Sequence, residues 1–210
     1  MPLFKTIPIE GGLIGLWKFE ETTTNLLPEF SGEELADPNF LKYTHEKRKV
    51  EWLATRALIK QLIGPEFSIS YLSSGKPILK HYRFKHLSIS HSRGFAAVIL
   101  HEHLKVGIDI EETTRDYSRI EKKYLSDIEL IQTNRNPLQQ CLYWCAKEAI
   151  FKLVDDEGIE FRQQIHIIPE PENQYFAKFT SGDQESSYEL NYLFISEHCL
   201  VWVTNLPVGK

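Results

Sequence analysis

Two stretches of this chain carry an apolar period of helical spacing, and each lies among short segments that alternate like strands; in 210 residues this pattern constrains the fold most. The first spans residues 47–62, where Val50, Leu53, Ala57, Leu58 and Ile63 recur near helical spacing and Gly64-Pro65 ends the run. The second starts at Asn136-Pro137 and runs to about residue 155, with Leu142, Ala146, Ala149 and Leu153 on one stripe. Strands are expected before and after the first helix, over residues 3–9, 13–19, 67–71, 87–90 and 96–101. Residues 22–39 are mixed and hold a short helix at most. A strand over residues 105–111 opens the second half, and helices over 117–124 and 126–133 follow it. After the second long helix, residues 161–203 alternate like antiparallel strands, with turns near Glu170-Pro171 and Ser181-Gly182-Asp183. The order predicts an α+β fold of two similar halves, 1–104 and 105–210, each with a small antiparallel sheet and one long helix.

Composition narrows the function classes. An apolar fraction of 42% supports a packed core, and a net charge of -5 argues against a globally basic nucleic-acid binder. Three cysteines, Cys141, Cys145 and Cys199, give no disulfide framework. The opening MPLFKTIPIE does not read as a secretory signal, and no apolar run approaches the ~20 residues of a membrane helix. A soluble cytoplasmic protein is expected.

Four segments offer chemistry. In Lys-Val-Gly-Ile-Asp109-Ile-Glu111 the two carboxylates share one strand face, roughly 6.6 Å apart along the chain. At that spacing they can converge on a hard cation such as Mg²⁺ or Mn²⁺. On the second long helix Trp144, Glu148 and Lys152 form a stripe distinct from the core stripe. Ser88-Ile89-Ser90-His91-Ser92 can offer hydroxyl and imidazole donors to phosphate. Ser74-Gly75-Lys76-Pro77 is a turn that could hold a base or phosphate. Taken singly, each has a plain structural reading: a polar strand face, a Glu–Lys surface pair, a polar bend, a turn. His101 and His103 do not form a metalloprotease helix, and Cys141 with Cys145 reads as core thiols. Neither a P-loop nor a nucleophile elbow is present.

Taken together, the segments resemble the 4′-phosphopantetheinyl transferases of the surfactin-synthetase-activating type. Gly75-Lys76-Pro77, Ile89-Ser90-His91-Ser92, Gly107-Ile108-Asp109-Ile110-Glu111 and Trp144-x-x-Lys147-Glu148-Ala149-x-x-Lys152 follow that family's order with fitting gaps. The resemblance implies two pseudo-symmetric α+β halves with coenzyme A in the cleft between them. It implies that Asp109, Glu111 and Glu148 hold Mg²⁺ or Mn²⁺ and that Lys152 meets a phosphate oxygen. Ser90 and His91 would line the phosphates, Gly75-Lys76-Pro77 the adenine side, and Arg48 and Arg56 would be basic coenzyme A contacts. Glu129 resembles a further acidic position of the family, with Tyr124 where the family has Phe. The family's basic residues before the first helix have no direct match, and Lys42, Lys47 and Lys49 could substitute for them.

The implied reaction moves the phosphopantetheine arm from coenzyme A to a serine of an acyl- or peptidyl-carrier protein and releases 3′,5′-ADP. Its polyanionic substrate suits a divalent ion and basic side chains, and the serine needs a base. Glu148, directly or through a water on the metal, is the first candidate, and Glu129 the second. Alternatives are a non-catalytic coenzyme A or carrier-binding protein and a Mg²⁺-dependent phosphohydrolase. Carriers of this kind are acidic, so Arg115, Arg119, Lys122 and Lys123 form the expected docking face, at helical spacings of four and three from Arg115 to Lys122. A complete cleft within one chain suggests a monomer.

Overall fold

The computed structural model describes residues 3–154, 156 and 158–206. The chain opens with β1 (Leu3–Ile9) and β2 (Gly12–Lys18), then three single-turn helices, α1 (Thr23–Leu26), α2 (Gly32–Leu35) and α3 (Pro38–Leu41). The long α4 (Glu46–Ile63) follows, then the hairpin β3 (Ser68–Tyr71) and β4 (Pro77–Lys80), and β5 (His86–Ser92) with β6 (Phe95–His101). The second part contains β7 (Val106–Glu112), α5 (Glu121–Tyr124), α6 (Asp127–Thr133) and the long α7 (Pro137–Val154). It closes with α8 (Phe161–Gln164), β8 (Ile165–Glu170), β9 (Gln174–Ser181), β10 (Gln184–Ile195) and β11 (His198–Thr204).

All ladders are antiparallel, giving a mixed α and β architecture. Beside the separate two-stranded β3-β4 sheet, a four-stranded sheet has the order β1-β2-β6-β5 and a five-stranded one the order β7-β11-β10-β9-β8. Each draws its strands from one side of residue 104, but they differ in strand number and order. The tail supplies four strands, because a further turn at Ser196, which has φ +51°, separates β10 from β11. The expected helix over 117–124 shrinks to its last turn, and residues 22–39 hold three one-turn helices. The expected end of the second long helix, Asp155, lies outside the described residues.

Strand parity sorts the core into three layers. Ile14, Leu16, Phe95, Ala97 and Ile99 of the first sheet meet Val106, Ile108, Ile110 and Leu200 of the second. The opposite face of the first sheet, with Trp17, Ala96, Val98 and Leu100, carries Leu53, Ala54, Ala57 and Leu58 of α4. The opposite face of the second sheet, with Cys199, Val201 and Val203, carries Cys145, Ala146 and Ala149 of α7. Burial on both faces explains why β6 is apolar along nearly its whole length.

Local chemistry sets the helix ends. Asn136 accepts from the backbone N–H groups of Leu138 and Gln139 at 2.9 and 3.4 Å, with Pro137 in the first turn of α7. Gly64, at φ +85°, stops α4 before Pro65. Glycines also bring the helices close to the sheets. A Cβ on Gly107 would overlap the Ala149 carbonyl of α7, and one on Gly15 would meet Leu58 and Leu62 of α4.

Candidate functional site

β5 and β7 are edge strands of different sheets, and a row of serines joins them. Ser88, Ser90 and Ser92 alternate along β5 and point to one face. Ser88 Oγ accepts from Ile108 N at 3.2 Å, and Ser90 Oγ accepts from Ile110 N at 3.4 Å. Ser90 Oγ donates to Asp109 Oδ1 at 2.6 Å, and Ser92 Oγ donates to Glu111 Oε2 at 3.3 Å. Hydroxyls thus fill the place that carbonyls fill in a continuous sheet. Leu87, Ile89 and His91 share the face of β5 that bears α4, while Asp109 and Glu111 share the face of β7 that bears α7. The two long helices therefore flank the seam.

Three carboxylates meet on the α7 side. Asp109 is buried, and its Oδ1 also accepts from Lys152 Nζ at 2.7 Å. Lys152 donates further to Ile108 O at 3.0 Å. Glu111 accepts from Arg115 at 2.9 Å; burial and the neighbouring Asp109 charge push its pKa up. Glu148 accepts no hydrogen bond from a described residue. Burial, then the charges of Asp109 and Glu111, push its pKa up to about 7, against a partial offset from Lys152. Trp144, one turn earlier on α7, packs edge-on against Tyr124 with ring centroids 5.1 Å apart.

The α4 side is cationic. Thr55 Oγ1 donates to Glu51 O, so at its 2.7 Å contact with His91 it accepts from Nε2–H. Burial, with the charges of Lys152, Arg48, Arg56 and Lys47, pushes the His91 pKa down to about 3. His91 is therefore a neutral imidazole among four cations. Such a basin favours an arriving polyanion.

Two hollows border the polar stripe of α7. One, of about 410 Å³, is lined by the Ser73–Pro77 turn, Leu87, Ser88, Ile89, Phe151 and Lys152. The other, of about 680 Å³, is lined by Arg115, Lys123, Tyr124, Trp144, Glu148 and Phe161. Lys152 faces the first and Glu148 the second, one helical turn apart.

The carboxylate group fits a hard divalent cation in charge and donor type. Asp109 Oδ2 is buried without a partner among the described residues, and Glu148 and Glu111 repel each other. Among the described residues, however, only Cys141, Cys145 and Cys199 have three ligand atoms all within 4.8 Å. The carboxylates of Asp109, Glu111 and Glu148 lie wider apart than that, with Asp109 paired to Lys152 and Glu111 to Arg115. The three thiols are fully buried core residues, which leaves them no entry path.

Several expected residues have other employment. Glu129 is 2% exposed and accepts from Ser126 N at 2.7 Å, Ile167 N at 2.8 Å and Lys147 Nζ at 2.8 Å. It closes the capping box of α6 and does not join the carboxylate group. Its partner Lys147, wholly buried, also donates to Tyr124 O and Phe161 O; burial pushes its pKa down while Glu129 opposes. Arg56 stacks over Trp52 at 3.5 Å and reaches Tyr71 Oη at 3.3 Å, so it is packed away, while Arg48 is exposed and paired with Glu51. Ser90 turns to Asp109, and its neighbours Ser88 and Ile89 line the 410 Å³ hollow. Arg115 and Arg119 precede α5, so no single helix face carries them with Lys122. Arg115 turns to Glu111, and Arg119 pairs with Asp116 in solvent. Sequence reasoning gave Lys147 no role and read Ser88 and Ser92 only as possible phosphate donors, not as a joint between strands. The pattern Ser126-x-x-Glu129 and the period-two serines were the available signals.

Residues 105–203, a little under half of the chain, match the model of the 4′-phosphopantetheinyl transferase superfamily. The matched segment contains β7, α7 and all three carboxylates, and it supports a transferase. A search of curated proteins found no match to this chain.

Proposed function

We propose that this chain transfers the 4′-phosphopantetheine arm of coenzyme A to a serine of an apo carrier protein, using Mg²⁺ or Mn²⁺. The observation that carries the reading is one seam where the carboxylates of Asp109, Glu111 and Glu148 gather beside Lys152 and near the exposed Lys47 and Arg48. Such a site matches a diphosphate bridged to a divalent cation. The superfamily match over the carboxylate half supports coenzyme A and a carrier as the two substrates.

In this reading Asp109, Glu111 and Glu148 hold the ion, which when bound would neutralise the diphosphate and the charge developing on the leaving group. The hollow of the Gly75-Lys76-Pro77 turn receives the nucleotide, and Lys152 on its wall can turn from Asp109 to a phosphate oxygen. The hollow beside Trp144 and Glu148 admits the carrier serine. The serine oxygen forms a bond to the β-phosphorus, the bond from that phosphorus to the bridging oxygen breaks, and 3′,5′-ADP leaves with the electron pair. Glu148, directly or through a water, is the group placed to accept the serine proton. The reading also takes residues 1–104 and 105–210 as its two halves, and a cytoplasmic monomer as its form.

The test is to incubate the chain with coenzyme A, Mg²⁺ and an apo carrier and to weigh the carrier. It should gain one phosphopantetheine, and Asp109→Ala should abolish the gain while the protein stays folded. Phosphate release without a carrier would indicate a hydrolase. Coenzyme A binding with no gain in carrier mass would indicate a non-catalytic binder.

A further inference from the structure

The Ser-x-Ser-x-Ser row on β5 is in register with β7 at two levels. Ser88 and Ser90 accept from the amides twenty residues ahead, while Ser90 and Ser92 donate to the carboxylates nineteen residues ahead. One strand of the first sheet therefore touches both strand carboxylates of the second. Ser90 is the best defined of the three, being 5% exposed and bonded in both directions. Its single hydroxyl proton goes to Asp109 Oδ1, and a lone pair takes the N–H of Ile110, the residue beside Asp109. The backbone amide sets where the hydroxyl sits, and the hydroxyl then sets the plane of the Asp109 carboxylate. Oδ2 is left buried and, among the described residues, without a partner.

We propose that Ser90 is a positioning residue for the metal carboxylates, acting through Asp109, and that it is not a contact for a substrate phosphate. The proposal rests on the metal reading above. With Oδ1 tied to Ser90 and Lys152, Oδ2 is the oxygen offered to a cation. Ser92 acts likewise on Glu111 with a longer bond, and Ser88, which touches no carboxylate, only joins the sheets. A hydrogen bond that orients a ligating carboxylate changes metal affinity by about 10–100-fold when it is removed.

The experiment measures two affinities by calorimetry on the full chain: Mn²⁺ without nucleotide, and 3′,5′-ADP without metal. Ser90→Ala should weaken Mn²⁺ binding by about tenfold or more. Its affinity for 3′,5′-ADP should stay within twofold of wild type. Ser90→Thr, which keeps the hydroxyl on a strand, should restore Mn²⁺ binding. Ser88→Ala, which loses a seam bond without touching a carboxylate, should leave Mn²⁺ binding unchanged. The reverse pattern for Ser90→Ala, with 3′,5′-ADP weakened and Mn²⁺ untouched, makes Ser90 a phosphate contact and overturns the proposal. Equal loss of Mn²⁺ binding in Ser88→Ala reduces the effect to a loosened joint and also overturns it. A wild-type chain that binds no Mn²⁺ overturns the metal reading itself, a result distinct from the other two. Thermal melts of every variant confirm that a folded protein was titrated.

Discussion

Replacing Glu129 with alanine separates a buried strut from a catalytic base. The Glu129–Lys147 pair has side chains 2% and 0% exposed, so water cannot compensate when one partner is removed. Lys147 would keep two carbonyls, Tyr124 O at 2.6 Å and Phe161 O at 3.0 Å, but no counter-charge. Stranding such a charge costs about 3–5 kcal/mol. For a chain of this size that lowers the melting temperature by roughly 6–20 °C. The simultaneous change Glu129→Met with Lys147→Met removes both charges and should recover most of the loss, since an apolar pair of similar volume often substitutes without penalty. Urea and thermal unfolding give the stabilities. Turnover measured at low temperature and normalised to folded protein gives the chemistry. A strut predicts a fragile Glu129→Ala protein whose folded fraction still transfers the arm at a rate within about tenfold of wild type. A Glu129→Ala protein that melts like wild type yet loses transfer by three orders of magnitude would refute this reasoning.

Three further predictions concern the seam and its surroundings. Glu148→Gln should melt higher than wild type at pH 7.5 without metal and should be inactive, because it removes a carboxylate that its neighbours repel. The sign follows from the raised pKa: the wild type is more stable at pH 4.5 and loses that stability as pH rises through about 7, whereas the variant lacks this component of the profile. An unchanged difference in melting temperature between pH 5 and 7.5 would count against it. Gly107→Ala should destabilise severely, because the new methyl group overlaps the Ala149 carbonyl and must push α7 off β7; a wild-type urea midpoint would be inconsistent with the packing. Arg119→Glu with Lys122→Glu should raise KM for an acidic carrier several-fold more than KM for coenzyme A, with the gap narrowing at high salt; equal carrier KM values at low salt would remove these residues from docking.

What could be read from the sequence was what repeats locally. The alternation in Val106–Glu112 sorted Asp109 and Glu111 from Val106, Ile108 and Ile110, and the structure puts those sets on opposite faces. The Asn136-Pro137 start and the Gly64 stop are short-range chemistry, and both were legible. Long-range partners were not. That β11 pairs with β7, setting Cys199 opposite Glu111, depends on a strand order that no local period encodes. Lys147 lies between two well-marked positions of α7, yet nothing in its own neighbourhood announces that Glu129, eighteen residues earlier, meets it in the core. Glu129 was named from the family resemblance, and the Ser126-x-x-Glu129 capping signal that ties it to α6 was not weighed. Arg56 was named as a ligand contact from the resemblance, and no local period shows that Trp52 and Tyr71 close over it.

The serine joint also bears on which strand edges lie open to another molecule. An open sheet leaves its first and last strands with unpaired backbone groups, a template on which another molecule can add a strand. Two sheets present four such borders. Here β5 and β7 cover each other, so only β1 and β8 remain at the outer borders of these two sheets. The same contact that organises the carboxylates thus hides two adhesive strands. A nick or a long insertion between His101 and Val106 that lets the sheets part would expose them together. The expected phenotype is precipitation of the separated pieces, along with loss of activity.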